Sequence, residues 1–175
     1  PPFTSAAKGD KLEDAGKAEF AAKAGVAAIV VKNAEEAAQK AAELVGLLPS
    51  NNLAGPAVFE TAEPAGQLNL AKYKAAEAAA AVVDADSALE LYAGYGKNVY
   101  TALATVGGSV VGVVATEKGA LCRACVSKTS RFVRLCDAFS IPVVTLVNTD
   151  GFAASCSEDA AGGLREAARL TGTYA

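Results

Sequence analysis

Histidine, methionine and tryptophan are all missing from this chain of 175 residues. Without histidine, neither a Ser-His-Asp nor a Cys-His nucleophilic site can be assembled within it, and imidazole-ligated metal sites are ruled out. Without methionine there is no initiator residue, so the expectation is a processed or truncated sequence. Long apolar runs are missing too. Nothing approaches the ~20 residues that span a bilayer. The stretch VGGSVVGVVA at 106–115 is too short and too rich in glycine, and no signal-peptide pattern opens the chain. Together these absences predict a soluble, cytoplasmic protein. Positive charge is not in excess either: 16 Lys and Arg face 19 Asp and Glu, so the electrostatic footprint of a nucleic-acid binder is absent.

Cysteine is scarce, at positions 122, 125, 136 and 156. Cys122-x-x-Cys125 has the spacing of a zinc or redox motif, but a structural zinc site needs four ligands. Only Cys136 and Cys156 could complete one, and Cys136 falls on the apolar side of a helical pattern. No metal site is therefore expected, and a redox pair or plain reduced thiols remain open. The basic residues are scattered except for Lys128, Arg131 and Arg134, whose helical spacing reads as a solvated helix face or as a contact for an anionic partner.

What is present is 52% hydrophobic sequence, enough to bury a sizeable core. Residues 1–14 are polar and turn-like. A short helix is predicted over 16–24, closed by Gly25, and an apolar strand over 26–31. Asn33 can cap a helix over 34–48, with Glu35 and Glu36 in its first turn and Pro49 stopping it. Residues 49–70 carry three prolines and no clear periodicity, and contain a linker at 51–70. An alanine-rich helix follows over 70–83, ended by the Asp84-Ala85-Asp86-Ser87 motif. From position 88 the period changes to two, through LELYAG, NVYTALATV and SVVGVVA, and Gly107-Gly108 marks a hairpin. A helix starting at Thr129 or Ser130 and ending near Phe139 is predicted, then a strand after Pro142, and a last helix over 160–171 opened by Ser157-Glu158-Asp159.

The most informative stretch is RFVRLCDAFSIPVVTLVNTDGF, at 131–152. A helix leads through Ile141-Pro142 into PVVTLV, which reads as a strand buried on both faces, and this ends in the turn Asn148-Thr149-Asp150-Gly151. Parallel strands of that kind present ligand sites where they end. The segment GYGKN at 94–98 is either a loop between strands or a functional placement of Lys97. Gly107-Gly108 lacks the Lys-Ser/Thr and the strand-to-helix context of a phosphate loop.

The stretch at 131–152 resembles the helix, strand and loop of the carboxyltransferase subunits of biotin-dependent acyl-CoA carboxylases and decarboxylases. Three more motifs agree in the same order: LPSNN at 48–52, LELYAGYGK at 89–97 with Asn98, and VGGSVVGVVA at 106–115. The resemblance runs over about residues 12–172, the middle third of such subunits. It implies an α/β, crotonase-like (ClpP/crotonase) carboxyltransferase fold seen in part: residues 1–50 as the tail of an N-terminal half, 51–70 as linker, and 71–175 as the start of a C-terminal half.

The activity implied is transfer of a carboxyl group between the ureido nitrogen of biotin, carried on a separate domain or subunit, and the carbon beside the thioester carbonyl of an acyl-CoA. Negative charge then develops on the thioester and ureido oxygens, and backbone N–H donors stabilise it, by about 3–4 kcal/mol for one donor. The oxyanion loops of the family fall outside this chain, which by itself is expected to be inactive. Its expected contribution is the wall of the site, with Asn148, Thr149, Asp150, Gly151 and Phe152 at the biotin end and Lys97 as a CoA contact. The implied partners are a homo-oligomer, a biotin carrier protein, acyl-CoA and a membrane decarboxylase subunit. Two departures point to a decarboxylase-like branch: Asn148 stands where the family turn opens with Asp, and Ala115-Thr116-Glu117-Lys118 replaces a frequent Asn-Gln-Pro. The alternatives are a non-catalytic assembly or CoA-binding domain of the same fold, and a small α/β protein binding an unrelated anionic metabolite.

Overall fold

The computed structural model describes residues 16–175; the polar segment expected at 1–14 lies outside them. Its centre is a hairpin of two eight-residue strands, β2 (Val99–Val106) and β3 (Ser109–Thr116), in register from Val99 opposite Thr116 to Val106 opposite Ser109. Gly107 and Gly108 close it at φ of 57° and 75°. Positive φ at both central residues is what a two-residue turn matched to strand twist requires, so the hairpin forms as the glycine pair predicts.

The short β1 (Leu89–Glu90) adds antiparallel to β2, and β5 (Val143–Leu146) adds parallel to β3, giving the sheet order β1-β2-β3-β5. Alternation along the hairpin feeds two apolar clusters. Val99, Leu103, Val110 and Val114 face helix α4 (Arg123–Ala138) with its Phe132, Val133 and Cys136. Ala104, Val111 and Val113 face the other way, against Ala79 of helix α3 (Ala75–Ala80) and Val83. Strands buried on both faces carry continuous apolar sequence, and β2 and β3 meet that description.

The segment after Pro142 does not. It forms β5 as expected, but at the edge of the sheet, and its four residues are only half-buried. Among the described residues its outer edge has no strand partner, so its valines are covered on the β3 side and by helices alone.

Other boundaries shift for identifiable reasons. Residues 26–31 form no strand: Val26 and Ala27 donate to Ala21 O, and Ala28 O accepts from Tyr92 N–H at 2.7 Å, so loop and helix-end bonds replace a ladder. Helix α1 (Ala18–Lys23) and helix α2 (Ala34–Leu47) form as predicted. Asn33 Oδ1 accepts from Glu36 N–H at 2.8 Å, and Glu36 Oε2 accepts from Lys32 N–H at 2.9 Å. A cap of this kind contributes ~1 kcal/mol.

The helix expected over 70–83 breaks into a 3-10 turn, Leu70–Lys72, and α3. Asn69 Oδ1 draws in the N–H groups of Ala71 and Lys72, Tyr73 leaves the helical region at ψ 132°, and Glu117 Oε1 accepts from Ala75 N–H at 2.9 Å to start α3 afresh. The linker at 51–70 is irregular, yet Phe59 N–H donates to Gly108 O at 2.8 Å and Val58 bridges to Ser109, so it lies along the end of the hairpin.

Helix α4 begins at Arg123, not at Thr129 or Ser130, because Glu158 Oε2 accepts from Arg123 N–H at 2.7 Å. That cap comes from a residue distant in sequence, so no local signal announces it. The last helix divides at Gly162 (φ 92°) into α5 (Cys156–Ala160) and α6 (Gly163–Tyr174), with Ser155 rather than residues 157–159 as the cap. No helix among the described residues is long and apolar enough to cross a membrane.

Candidate functional site

Parallel β3 and β5 end side by side, and the chain beyond each is tied to the other. Asn148 N–H donates to Thr116 Oγ1 at 2.6 Å. Thr149 Oγ1 donates to Gly119 O at 2.7 Å, and Asp150 N–H reaches the same carbonyl at 3.0 Å. Then β6 (Gly151–Phe152) pairs in parallel with β4 (Ala120–Leu121). Gly151 sits at φ 110°, a conformation that side chains oppose, so the turn needs glycine there. The five predicted residues therefore form one stapled turn on the segment 116–121. Asp150 and Phe152 are exposed, the other three half-buried.

Lys97 stands on the opposite flank of the same segment. Asn98 O accepts from Glu117 N–H at 2.8 Å, and Asn98 Nδ2 donates to Ala120 O at 3.3 Å. The two predicted groups thus share a support but open into different hollows. Phe152 lines a groove of about 230 Å3 with Leu121, Arg123, Val126, Glu158 and Leu164. Lys97 lines a cleft of about 160 Å3 with Glu90, Tyr100, Glu117 and Lys128.

A larger hollow, about 520 Å3, lies away from both, between Leu47, Phe59, Asp84 and Ser87. Phe59, Glu60 and Ala62 of the 51–70 segment form one side of it. Asp84 is committed there to Thr105 Oγ1 and to the Gly107 and Gly108 N–H groups, at 2.7–2.9 Å. These bonds, that from Gly108 foremost, hold its carboxyl below the usual range.

Lys128 corrects the reading of a solvated basic face. Its side chain is buried, 1% exposed, and Nζ donates to Val99 O at 2.7 Å. Burial pulls its pKa down to about 8, against the opposing pull of the Glu90 carboxylate and of Cys125. Burial in turn pushes Glu90 up, with Lys128 acting the other way. The signal was in the sequence: Lys128 lies three residues after Cys125 and four before Phe132, which places it on the apolar stripe of α4.

Arg131 turns out instead as a clamp. Its Nη1 donates to Gly25 O at 2.6 Å, its Nη2 to Tyr92 Oη at 3.3 Å, and its guanidinium lies 4.8 Å from the centre of the Tyr92 ring. Tyr92 sits at φ 60°, strained for a bulky residue, and the Ala28 and Arg131 contacts hold it there. Arg134 is exposed, as the reading of a solvated face predicts for it.

Cys122 and Cys125 come together with sulfurs 3.0 Å apart, while Cys136 is buried in the core and Cys156 is exposed. No group of three or more Cys, Asp or Glu is placed to hold a metal ion among the described residues.

Against known proteins, residues 5–175 match the carboxyl transferase domain. The biotin-dependent acetyl-/propionyl-coenzyme A carboxylase beta5 subunit of Mycobacterium tuberculosis (strain CDC 1551 / Oshkosh) is 31% identical over 175 residues, covering 87% of this chain and 32% of that protein. Methylmalonyl-CoA decarboxylase subunit alpha of Veillonella parvula is 30% identical over 165 residues, covering 86% of this chain and 32% of its own length. A transcarboxylase 12S crystal structure, a hexamer assembly with methylmalonyl-coenzyme A and methylmalonic acid bound, superimposes with a TM-score of 0.85 at 27% identity, over 94% of this chain and 35% of that one.

The chain thus spans about a third of the length of the relatives it matches, 32% in both curated cases. The part of the fold it shares with them is crotonase-like, as the four motifs implied. On the match over residues 5–175, the chain belongs to the carboxyl transferase domain family.

Proposed function

We propose that this chain forms part of a carboxyltransferase that moves a carboxyl group between biotin, borne on a separate carrier protein, and the carbon beside the thioester carbonyl of an acyl-CoA. The observation that carries the reading is the stapled turn at 148–152, set at the ends of the two parallel strands in a chain of this family. Residues 1–50 would then close one half of the catalytic unit, 51–70 link, and 71–175 open the second.

The groove beside Phe152 suits the biotin end. Leu121, Val126, Phe152 and Leu164 offer an apolar wall for the bicyclic ring, and Arg123 and Glu158 mark a polar rim. Lys97, exposed at the other flank, suits a CoA phosphate. The negative charge on the thioester and ureido oxygens is met by backbone N–H donors in this proposal, with no donor of this chain assigned to either.

The subunit works as a cytoplasmic homo-oligomer in this reading. Asn148, where the family turn opens with Asp, favours the decarboxylase branch in this reading, whose further partner would be a membrane subunit.

Carboxyl transfer by the native protein tests the assignment. Phe152→Ala is expected to raise KM for carboxybiotin about tenfold, the loss of roughly 1.4 kcal/mol of contact, with KM for acyl-CoA unchanged. Lys97→Ala is expected to raise KM for acyl-CoA alone. If neither constant moves, the wall is not where we place it.

A further inference from the structure

Helix α4 opens with two cysteines one turn apart. Cys122 is its N-cap residue and half-buried, and Cys125 is 1% exposed. Their sulfurs meet at 3.0 Å, a thiol–thiol hydrogen bond rather than a disulfide of about 2.05 Å. Closing the pair therefore needs a movement of ~1 Å. A half-buried thiol with a second, sheltered sulfur already against it is an arrangement suited to dithiol–disulfide exchange. The other two cysteines lack it: Cys136 is wholly buried under the sheet and Cys156 is exposed, and neither lies against another sulfur among the described residues.

We propose that Cys122 and Cys125 form a reversible dithiol–disulfide couple whose oxidant is a low-molecular-weight disulfide. Cys122 thiolate attacks one sulfur of the oxidant, RSSR, forming a mixed disulfide and releasing RS−, which takes up the proton Cys122 gave up. Cys125 then attacks Cys122 Sγ, its own proton leaving with the second RS−. Two thiols and one RSSR become one protein disulfide and two RSH, a balanced two-electron exchange. The order follows from access and proximity: Cys125, 1% exposed, cannot meet a free disulfide, and its sulfur already lies 3.0 Å from Cys122 Sγ.

The couple would be felt at the neighbouring cleft. Gly96 lies directly on the first turn of α4: a Cβ built there would stand 2.9 Å from Ala124 O and 3.0 Å from Cys125 Cα. A movement of the Cys125 backbone therefore presses on the loop that carries Lys97. This holds whatever acyl group the protein handles.

The test is thiol mapping of the full chain after incubation with oxidised glutathione. The expected result is loss of two alkylatable thiols through a Cys122–Cys125 disulfide, reversed by dithiothreitol, with glutathione retained on Cys156 only. In Cys125→Ser the exchange should stop at a persistent Cys122–glutathione adduct. The proposal is overturned if wild-type Cys122 keeps glutathione. It is equally overturned if Cys122 and Cys125 both remain alkylatable once Cys156 is fully modified.

Discussion

Alanine at Gly112 is expected to destabilise the protein by about 3 kcal/mol, the upper part of the range for overpacking a core. Gly112 is the point in β3 where α4 crosses the sheet: a Cβ there would collide with Cys136 Sγ and stand 3.2 Å from the Phe132 ring. Both neighbours are wholly buried, at 0% exposure, so neither can swing into solvent. The strand is also held from its other side, since Gly112 N–H donates to Pro142 O at 2.8 Å and the residue pairs with Val143. The helix must shift or the strand must bow. Removing the obstructing sulfur should relieve part of the cost. In Gly112→Ala/Cys136→Ala the two changes are expected to couple favourably by about 1–2 kcal/mol, read from urea denaturation of the four corners of the cycle. Additive effects would show that α4 does not press on Gly112 through Cys136.

Stability is expected to rise between about pH 8 and about pH 10.5, and Lys128→Met is expected to abolish most of that rise. Lys128 ordinarily loses its proton at 10.5, but in the folded protein at about 8. Between those values the unfolded chain binds more protons than the folded one, so raising the pH favours folding. Below the lower value both states hold the proton, and the full penalty of a buried charge is present. At about 1.4 kcal/mol per unit the rise approaches 3 kcal/mol. Glu90 beside it reduces the penalty without removing it. Tyrosines and cysteines titrate in the same window, so the informative quantity is the difference between wild type and variant, measured by urea denaturation across it. Equal slopes in the two proteins would mean that Lys128 reaches water.

The hairpin, α2 and the start of β5 along the chain were legible because their signals are local: paired glycines, an Asn–Glu cap, and a proline ahead of valines. What was not legible depends on contacts far apart in sequence. Glu117 restarts a helix at Ala75, Glu158 starts another at Arg123, and Tyr92 takes the carbonyl of Ala28 that a strand would have used.

Apolar sequence also proved ambiguous about place. VVTL has the composition of a central strand and forms an edge, whereas the small residues Ala102, Ala104 and Gly112 mark β2 and β3 as the strands between two helices. At the candidate site, residue type and position pick out the turn at 148–152 as the end of β5, and the resemblance supplies the chemistry proposed for it. Spacing among Lys128, Arg131 and Arg134 suggests a solvated face, whereas the phase of Lys128 against Cys125 and Phe132 puts it on the buried stripe of α4.

If the turn at 148–152 is the biotin-facing wall, free biotin should perturb it. Backbone amide chemical shifts of the isotope-labelled chain, followed during titration with free biotin, are expected to change on 148–152 and on 121–126 across the groove, leaving 84–87 and 105–108 unmoved. Shifts confined to the hollow around Asp84, with the turn silent, would contradict it.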